Sequence, residues 1–196
     1  MQHETADFYI IAGCNGAGKT TASVTILPEL LNCSEFVNAD NIAKSIAPLN
    51  VESAAIEAGR VMLNRVNELL EQGSDFAKET TLTTKSYVAL IKKAHQKGYK
   101  VTLLYIWLSS YQMAIERVAE RVKSGGHHIP DDVVERRYHN GIKNFFTLFM
   151  PICNSWILAD NSNGNLTLIG GSEEKIGHMI QDNEIWDRMQ KQAYGA

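Results

Sequence analysis

The chain has 196 residues, of which 44% are hydrophobic and 21% charged, and its formal net charge is -3. These values are typical of a globular protein, and they exclude a global basic excess of the kind that holds a nucleic-acid backbone. The three cysteines, Cys14, Cys33 and Cys153, have no paired spacing, which argues against a disulfide framework and a zinc site. Residues 1–7 lack a basic segment and a long apolar run, so we expect no signal peptide. The longest apolar stretches of the chain are strand-sized and too short for a bilayer, so we expect no membrane span and a cytoplasmic protein.

Apolar strands and amphipathic helices alternate along the chain. Residues 8–12 are a short apolar run that predicts a buried strand, and a helix is expected from 19 to about 27. A second strand is predicted at 35–38. Apolar residues at three- and four-residue spacing between 51 and 70 indicate a long helix that ends at Gly73.

The second half of the chain continues the alternation. The predicted elements are, in order, a strand at 75–79, a helix from 84 to near 98, a strand at 100–108, a helix at 111–123, a helix opening at 130–132, a strand at 155–160, an edge strand at 166–169 and a closing helix from 173 onward. This order predicts an α/β fold with a parallel sheet of about five strands and helices on both faces. We expect one domain over 1–196, with an arginine-bearing helical lid at about 111–145.

The segment Gly13–Thr20 carries a phosphate-binding signature. Its sequence, GCNGAGKT, fits G-x-x-x-x-G-K-[ST] at each fixed position and lies between a predicted strand and a predicted helix. Lys19 is expected to reach the β- and γ-phosphates, and Thr20 to hold Mg²⁺. The sequence therefore predicts a P-loop NTPase fold that binds ATP or GTP with Mg²⁺. The predicted nucleotide-binding residues are Gly13, Cys14, Asn15, Gly16, Ala17, Gly18, Lys19, Thr20 and Thr21.

Asp40 is the candidate general base. The chain has no N-K-x-D segment of a GTPase, and the strand at 100–108 is followed by serines rather than by an acid. Asp40 follows the second predicted strand, at the sheet edge where open α/β folds bind ligands. It can accept a proton from an attacking hydroxyl or hold a magnesium-bound water. Alternatively it caps a helix that begins at Asn41.

Glu79, Thr80 and Thr81 end the third predicted strand at the same edge of the sheet. A carboxylate followed by hydroxyls suits the binding of a sugar or nucleoside hydroxyl. The same pattern is also found in solvated turns, so both interpretations, a substrate-binding edge and a solvated strand end, stay open.

Four arginines, Arg117, Arg121, Arg136 and Arg137, flank the segment 125–130. A lid arginine can neutralise charge on a phosphoryl group in transfer, or it can pair with a neighbouring glutamate on a solvated helix face. The segment also contains two histidines, but no third ligand has suitable spacing, so no metal site is predicted there.

These motifs together resemble the zeta-toxin family of P-loop kinases, in its small stand-alone bacterial branch. The resemblance covers about residues 8–162 and rests on 11–21, Val37-Asn38-Ala39-Asp40 and Glu79-Thr80-Thr81-Leu82, with the stretches 116–138 and 160–162 in support. It implies a five-stranded parallel core and transfer of a γ-phosphate to a hydroxyl of a small acceptor. Better-studied members of the family phosphorylate UDP-N-acetylglucosamine and are silenced by an antitoxin protein.

The resemblance also implies residue roles. Asp40 matches the general base, and it acts beside Lys19. Arg121 and Arg136 match two lid arginines that contact the γ-phosphate. The implied substrate-binding residues are Glu79 and Thr81, and Asn161 lies where related kinases contact adenine.

Two other functions remain open. The first is a nucleotide-gated ATPase switch or defence protein that acts through a protein partner. The second is phosphorylation of a polynucleotide, for which lysines in the range 92–100 offer a local basic patch. The net charge gives the second no support, so nucleic acid is not the expected partner.

Overall fold

The computed structural model describes residues 5–29, 31–173 and 177–195. The strands in these ranges are β1 (Asp7–Ala12), β2 (Phe36–Val37), β3 (Phe76–Thr80), β4 (Lys100–Trp107), β5 (Ser155–Asp160), β6 (Thr167–Glu173) and β7 (Gly177–Ile180). They form one seven-stranded sheet in the order β2-β3-β1-β4-β5-β6-β7. The first five strands pair in parallel, whereas β6 and β7 are antiparallel to their neighbours.

Helices connect the parallel strands. They are α1 (Lys19–Glu29), α2 (Ala39–Ile46), α3 (Ala55–Gln72), α4 (Ser86–Gln96), α5 (Tyr111–Lys123), α6 (Asp131–Asn144) and α7 (Asn183–Tyr194). Single turns of 3₁₀-helix precede α3 at Val51–Ala54 and end the α6 region at Met150–Ile152, after a π-helical turn at Phe145–Phe149. None of the described helices is long and apolar enough to cross a bilayer.

The core lies around the central strands. In β1, consecutive residues from Ile10 to Ala12 are at most 1% exposed, so both faces of the sheet are covered there. At the other end of the strand, Phe8 stacks on Phe76 of β3 with ring centroids 4.4 Å apart, and Tyr99 meets Phe76 edge-on at 5.8 Å. These contacts stabilise β3 beside β1, and because the two strands pair in parallel, their carboxyl ends lie at the same edge of the sheet.

The predicted fold class is confirmed, including the parallel core and the helices on both faces. The long helix ends as expected, because Gly73 adopts a left-handed φ of 68° and its N–H donates to Leu69 O. Within the expected lid, α5 and α6 bury apolar residues against the core. Residues 127–130 of the loop between them line the cleft described below, together with Val133, Arg136 and Arg137 of α6.

The predicted closing helix is present as α7, but its predicted start at Glu173 is wrong. The structure continues β6 through Glu173, adds β7 and begins α7 only at Asn183, where the Asp182 carboxylate accepts from the Ile185 N–H. The strand predicted at the sheet edge, β6, pairs on its outer side with β7, so β7 is the edge strand of the described sheet. The close approach of β6 and β7 requires glycine at position 170, because a Cβ at Gly170 would lie 2.9 Å from Met179 O.

The aromatic contact between β1 and β3 predicts a large stability loss on truncation. Phe76→Ala should lower the free energy of unfolding by about 3–5 kcal/mol, because it leaves a cavity in a fully buried site. Urea denaturation measures the change. The matched control is Ile56→Ala on α3, where the side chain is 76% exposed and the expected change is below about 0.5 kcal/mol. Equal effects of the two substitutions would contradict this description of the core.

Candidate active site

The phosphate-binding loop joins β1 to α1, and its glycines are required by its shape. Gly13, Gly16 and Gly18 have φ values of 146°, 78° and 86°. A Cβ at Gly13 would lie 2.3 Å from Ile106 O, and one at Gly18 would lie 2.5 Å from Asn161 Nδ2. The loop therefore has the backbone freedom and close packing that a phosphate cradle needs.

Lys19 and Cys14 lie inside this loop. Lys19 is only 6% exposed, and its Nζ donates to Cys14 O at 2.8 Å. The Cys14 side chain is buried, and burial raises the pKa of its thiol to about 11. The thiol is therefore protonated at neutral pH and contributes packing rather than chemistry.

Glu79 is the central polar group of the site. Its Oε2 accepts hydrogen bonds from Thr20 Oγ1 at 2.7 Å and from Asn38 Nδ2 at 2.6 Å, and its Oε1 lies 3.6 Å from Lys19 Nζ. The register explains the contact, since Glu79 is paired with Ile11 at the carboxyl end of β1. The hydroxyl and the carboxylate are oxygen ligands of the kind that Mg²⁺ prefers, so this corner fits a magnesium ion.

Asp40 lies in the first turn of α2 and does not cap it. The cap is Asn38, whose Oδ1 accepts from Asp40 N at 2.8 Å and from Asn41 N at 3.1 Å. The alternative in which Asp40 caps a helix beginning at Asn41 is therefore wrong. The Asp40 side chain is exposed and makes no hydrogen bond or ion pair within the described ranges, and it lines the cleft.

The cleft has a volume of about 590 Å³ and lies at the carboxyl ends of β1 and β3. Its walls come from the phosphate loop, α2, the segment after β3, α4, the loop 124–130 and α6. The polar lining residues are Asn15, Lys19, Asn38, Asp40, Glu52, Glu79, Thr80, Thr81, Thr83, Thr84, Tyr87, His127, His128, Arg136 and Arg137. Most of the predicted catalytic and substrate-binding residues therefore share one cavity.

The lid arginines differ in position. Arg137 is half-buried, and its Nη1 donates to Asn15 Oδ1 of the phosphate loop at 3.1 Å. Burial lowers the pKa of its guanidinium, and the nearby Asp40 carboxylate acts in the opposite direction. Arg136 also lines the cleft but is exposed. Arg137, which the sequence analysis did not single out from the four, is thus the lid arginine in contact with the phosphate loop.

Arg121 and Arg117 support loops instead. Arg121 is absent from the cleft lining among the described residues, and its Nη2 donates to His127 O at 3.0 Å. Arg121 instead lines a neighbouring cavity together with Asp40 and His127, and its contact with the γ-phosphate stays a prediction. Arg117 donates to Asn161 O and Ser162 O, each at 2.8 Å.

Asn161 in turn donates from Nδ2 to Ala17 O at 2.9 Å. This contact braces the phosphate loop from the turn after β5. The expected role of Asn161 in adenine contact stays a prediction.

The segment after β3 forms a hydroxyl-bearing wall. Leu82 is fully buried with a left-handed φ of 60°, which is rare for a residue with a Cβ. Its N–H donates to Thr80 Oγ1, and its carbonyl accepts from Asn144 Nδ2 of α6 at 2.8 Å. Thr81, Thr83 and Thr84 consequently line the cleft.

The sequence analysis missed two of these threonines and Tyr87 of α4. The signal that could have found them is the run of hydroxyl residues directly after a strand that ends at the ligand edge.

The family of the chain follows from comparisons with known proteins. The model of the family described as Zeta toxin matches residues 1–150. A protein of Haemophilus influenzae is 35% identical over 144 residues, which are 70% of this chain and 94% of that relative.

Among solved structures, the complex AvrRxo1-ORF1:AvrRxo1-ORF2 with sulphate ions matches with a TM-score of 0.76 at 16% identity and covers 95% of this chain. The chain spans 64% of that protein's length. The PezAT chromosomal toxin-antitoxin system of Streptococcus pneumoniae matches with a TM-score of 0.67 at 16% identity, over 100% of this chain and 81% of that one. At these identities the structural matches show the fold. The family match extends over more than half of the sequence, so the chain belongs to the Zeta toxin family and is a kinase with a P-loop fold.

Proposed function

We propose that the protein transfers the γ-phosphate of ATP to a hydroxyl group of a small polar acceptor. The observation that carries this proposal is the shared cleft, in which Lys19 of the phosphate loop, the free Asp40 carboxylate and Arg137 line one cavity. The hydroxyls of the segment after β3 line the same cavity. A cavity of about 590 Å³ is within the usual size range of small-molecule sites.

The phosphate loop and its neighbours would hold the nucleotide. Backbone N–H groups of residues 13–20 and the N-terminus of α1 bind the phosphates, and Lys19 reaches the γ-phosphate. Thr20 and Glu79 would hold Mg²⁺, which when bound neutralises charge on the phosphate oxygens. The related AvrRxo1-ORF1:-ORF2 complex was solved with ATP, which supports ATP as the nucleotide. GTP stays the alternative.

Asp40 would act as the general base. It accepts the proton of the attacking hydroxyl while that oxygen forms its bond to the γ-phosphorus. The bond to the β,γ-bridging oxygen breaks, and ADP leaves. The guanidinium of Arg137 stabilises the charge on the transferred group, with Arg136 further along the same wall. Arg121 acts through the lid loop that it holds.

The acceptor would be a polar molecule recognised by Thr81 and its neighbours, with Glu79 between the acceptor and the nucleotide. The family resemblance favours UDP-N-acetylglucosamine or another nucleotide sugar. The PezAT match favours an antitoxin protein as a further partner. We also infer that residues 1–196 form one domain, because β1 to β7 share one sheet and one hydrophobic core includes residues from Phe8 to Ala193.

Two substitutions separate nucleotide binding from transfer. Lys19→Ala should abolish binding of ATP, because it removes the ammonium group from the cradle. Asp40→Asn should leave ATP affinity within about two-fold and lower acceptor phosphorylation by about 10²–10⁴-fold. Calorimetry measures ATP binding. Transfer is measured with labelled ATP and a panel of nucleotide sugars, and by mass spectrometry of metabolites that gain one phosphate in expressing cells.

Unchanged ATP affinity in Lys19→Ala contradicts the assignment of the phosphate loop. ATP hydrolysis that a protein stimulates, without phosphate transfer to any metabolite, would favour the nucleotide-gated switch instead.

The lid arginines give a third comparison. Arg137→Ala should lower kcat by about 10³-fold or more, because its charge lies beside the phosphate loop. Arg121→Ala should lower it by less than about ten-fold, since its guanidinium supports the His127 carbonyl. Steady-state kinetics at saturating ATP measure both values. A larger loss for Arg121→Ala than for Arg137→Ala would reverse the assignment.

A further inference from the structure

A lysine is buried beneath the acceptor side of the cleft. Lys78 of β3 is 1% exposed, and no carboxylate of the described residues lies within 4.0 Å of its ammonium group. Its Nζ donates to Tyr87 Oη at 2.7 Å and lies 4.2 Å from the centroid of the Tyr87 ring. A further contact to Glu79 O is 3.5 Å long. Burying a cation without a counter-ion costs much free energy, so the arrangement calls for a compensating role.

Tyr87 connects this cation to the cleft. The tyrosine lines the cavity, whereas Lys78 lies behind it. Because Tyr87 Oη accepts a hydrogen bond from the ammonium group, its own O–H must donate in another direction. A hydroxyl that accepts from a cation is polarised and becomes a stronger donor. The pair therefore offers the cleft a donor that carries part of a buried positive charge.

The surroundings of Tyr87 also favour a negatively charged ligand. It lies in the first turn of α4, a helix of 11 residues whose N-cap, Lys85, makes no side-chain capping bond. The acids that line the cavity are Asp40, Glu52 and Glu79. Two of them are engaged by other groups, since Glu79 contacts Lys19 and Thr20, and Glu52 lies 3.7 Å from His127.

We propose that the Lys78–Tyr87 pair binds an oxyanion of the acceptor, a phosphate or a carboxylate group, through the Tyr87 hydroxyl. This inference rests on the proposed phosphotransfer and narrows its acceptor to hydroxylated molecules that carry a negative charge. Tyr87 is the binding residue, and Lys78 is a positioning residue that polarises it. The threonine hydroxyls of the neighbouring wall bind the uncharged part of the same molecule.

Matched pairs of acceptors test the proposal without requiring transfer. The probes are N-acetylglucosamine 1-phosphate against N-acetylglucosamine, and glucuronate against glucose. Calorimetry measures their binding with and without Mg²⁺ and a non-hydrolysable ATP analogue. The wild-type protein should bind the charged member of at least one pair about ten-fold more tightly than the neutral member. The pair that shows the preference identifies the oxyanion.

Tyr87→Phe should remove most of this preference, about ten-fold, while the affinities for the neutral sugars and for the ATP analogue stay unchanged. Lys78→Met should reduce the preference too, because it leaves the phenol but removes the charge behind it. The matched control is Tyr194→Phe, which deletes an exposed hydroxyl on α7 and should change nothing.

Three results would overturn the inference: equal binding of charged and neutral members, no binding of any member, or a preference that survives Tyr87→Phe. Failure of the proposed function has a different signature. It would appear as a lack of ATP binding or of phosphate transfer in the wild-type protein, whereas the anion preference is measured from the binding of the acceptor.

Discussion

The Glu79 carboxylate holds the candidate site together. It joins the last residues of β3 to Lys19 and Thr20 at the start of α1 and to Asn38 at the start of α2. Three segments that are distant in sequence consequently meet at one largely buried group. Because the carboxylate accepts two short hydrogen bonds and lies beside an ammonium group, its negative charge is compensated. The positions of the phosphate loop and of Asp40 relative to each other depend on this contact.

The sequence predicted the parallel core well because each strand there carries its own signal. The apolar run before Gly13 and the β-branched and aromatic run from Lys100 onward are buried strands, and Gly73 with its left-handed φ ends the long helix α3. In the C-terminal part the sequence predicts a closing helix but misses β7, and it therefore places the start of the helix too early. The β6–β7 pairing depends on close approach at Gly170, and residues at 166–180 have no periodicity that distinguishes an antiparallel pair from a turn and a helix.

Only part of the site follows from the sequence, because only some of its residues belong to recognisable motifs. Lys19, Asp40 and Glu79 belong to contiguous motifs that end strands, so their common edge follows from topology. The choice among the lid arginines does not follow from spacing, because a helix face alone does not say which guanidinium meets a loop carbonyl and which meets Asn15. Tyr87 belongs to a helix whose sequence resembles any amphipathic helix. Its significance appears only with Lys78 behind it.

The left-handed conformation of Leu82 gives the threonine wall of the cleft a fixed shape. Its conformation is maintained from within the protein, by Thr80 on one side and Asn144 on the other, so the wall keeps its shape before any ligand arrives. Binding then needs little ordering of the backbone, and more of the contact energy remains as affinity. A rigid wall also discriminates by shape, since it cannot adjust to a molecule whose hydroxyls are spaced differently.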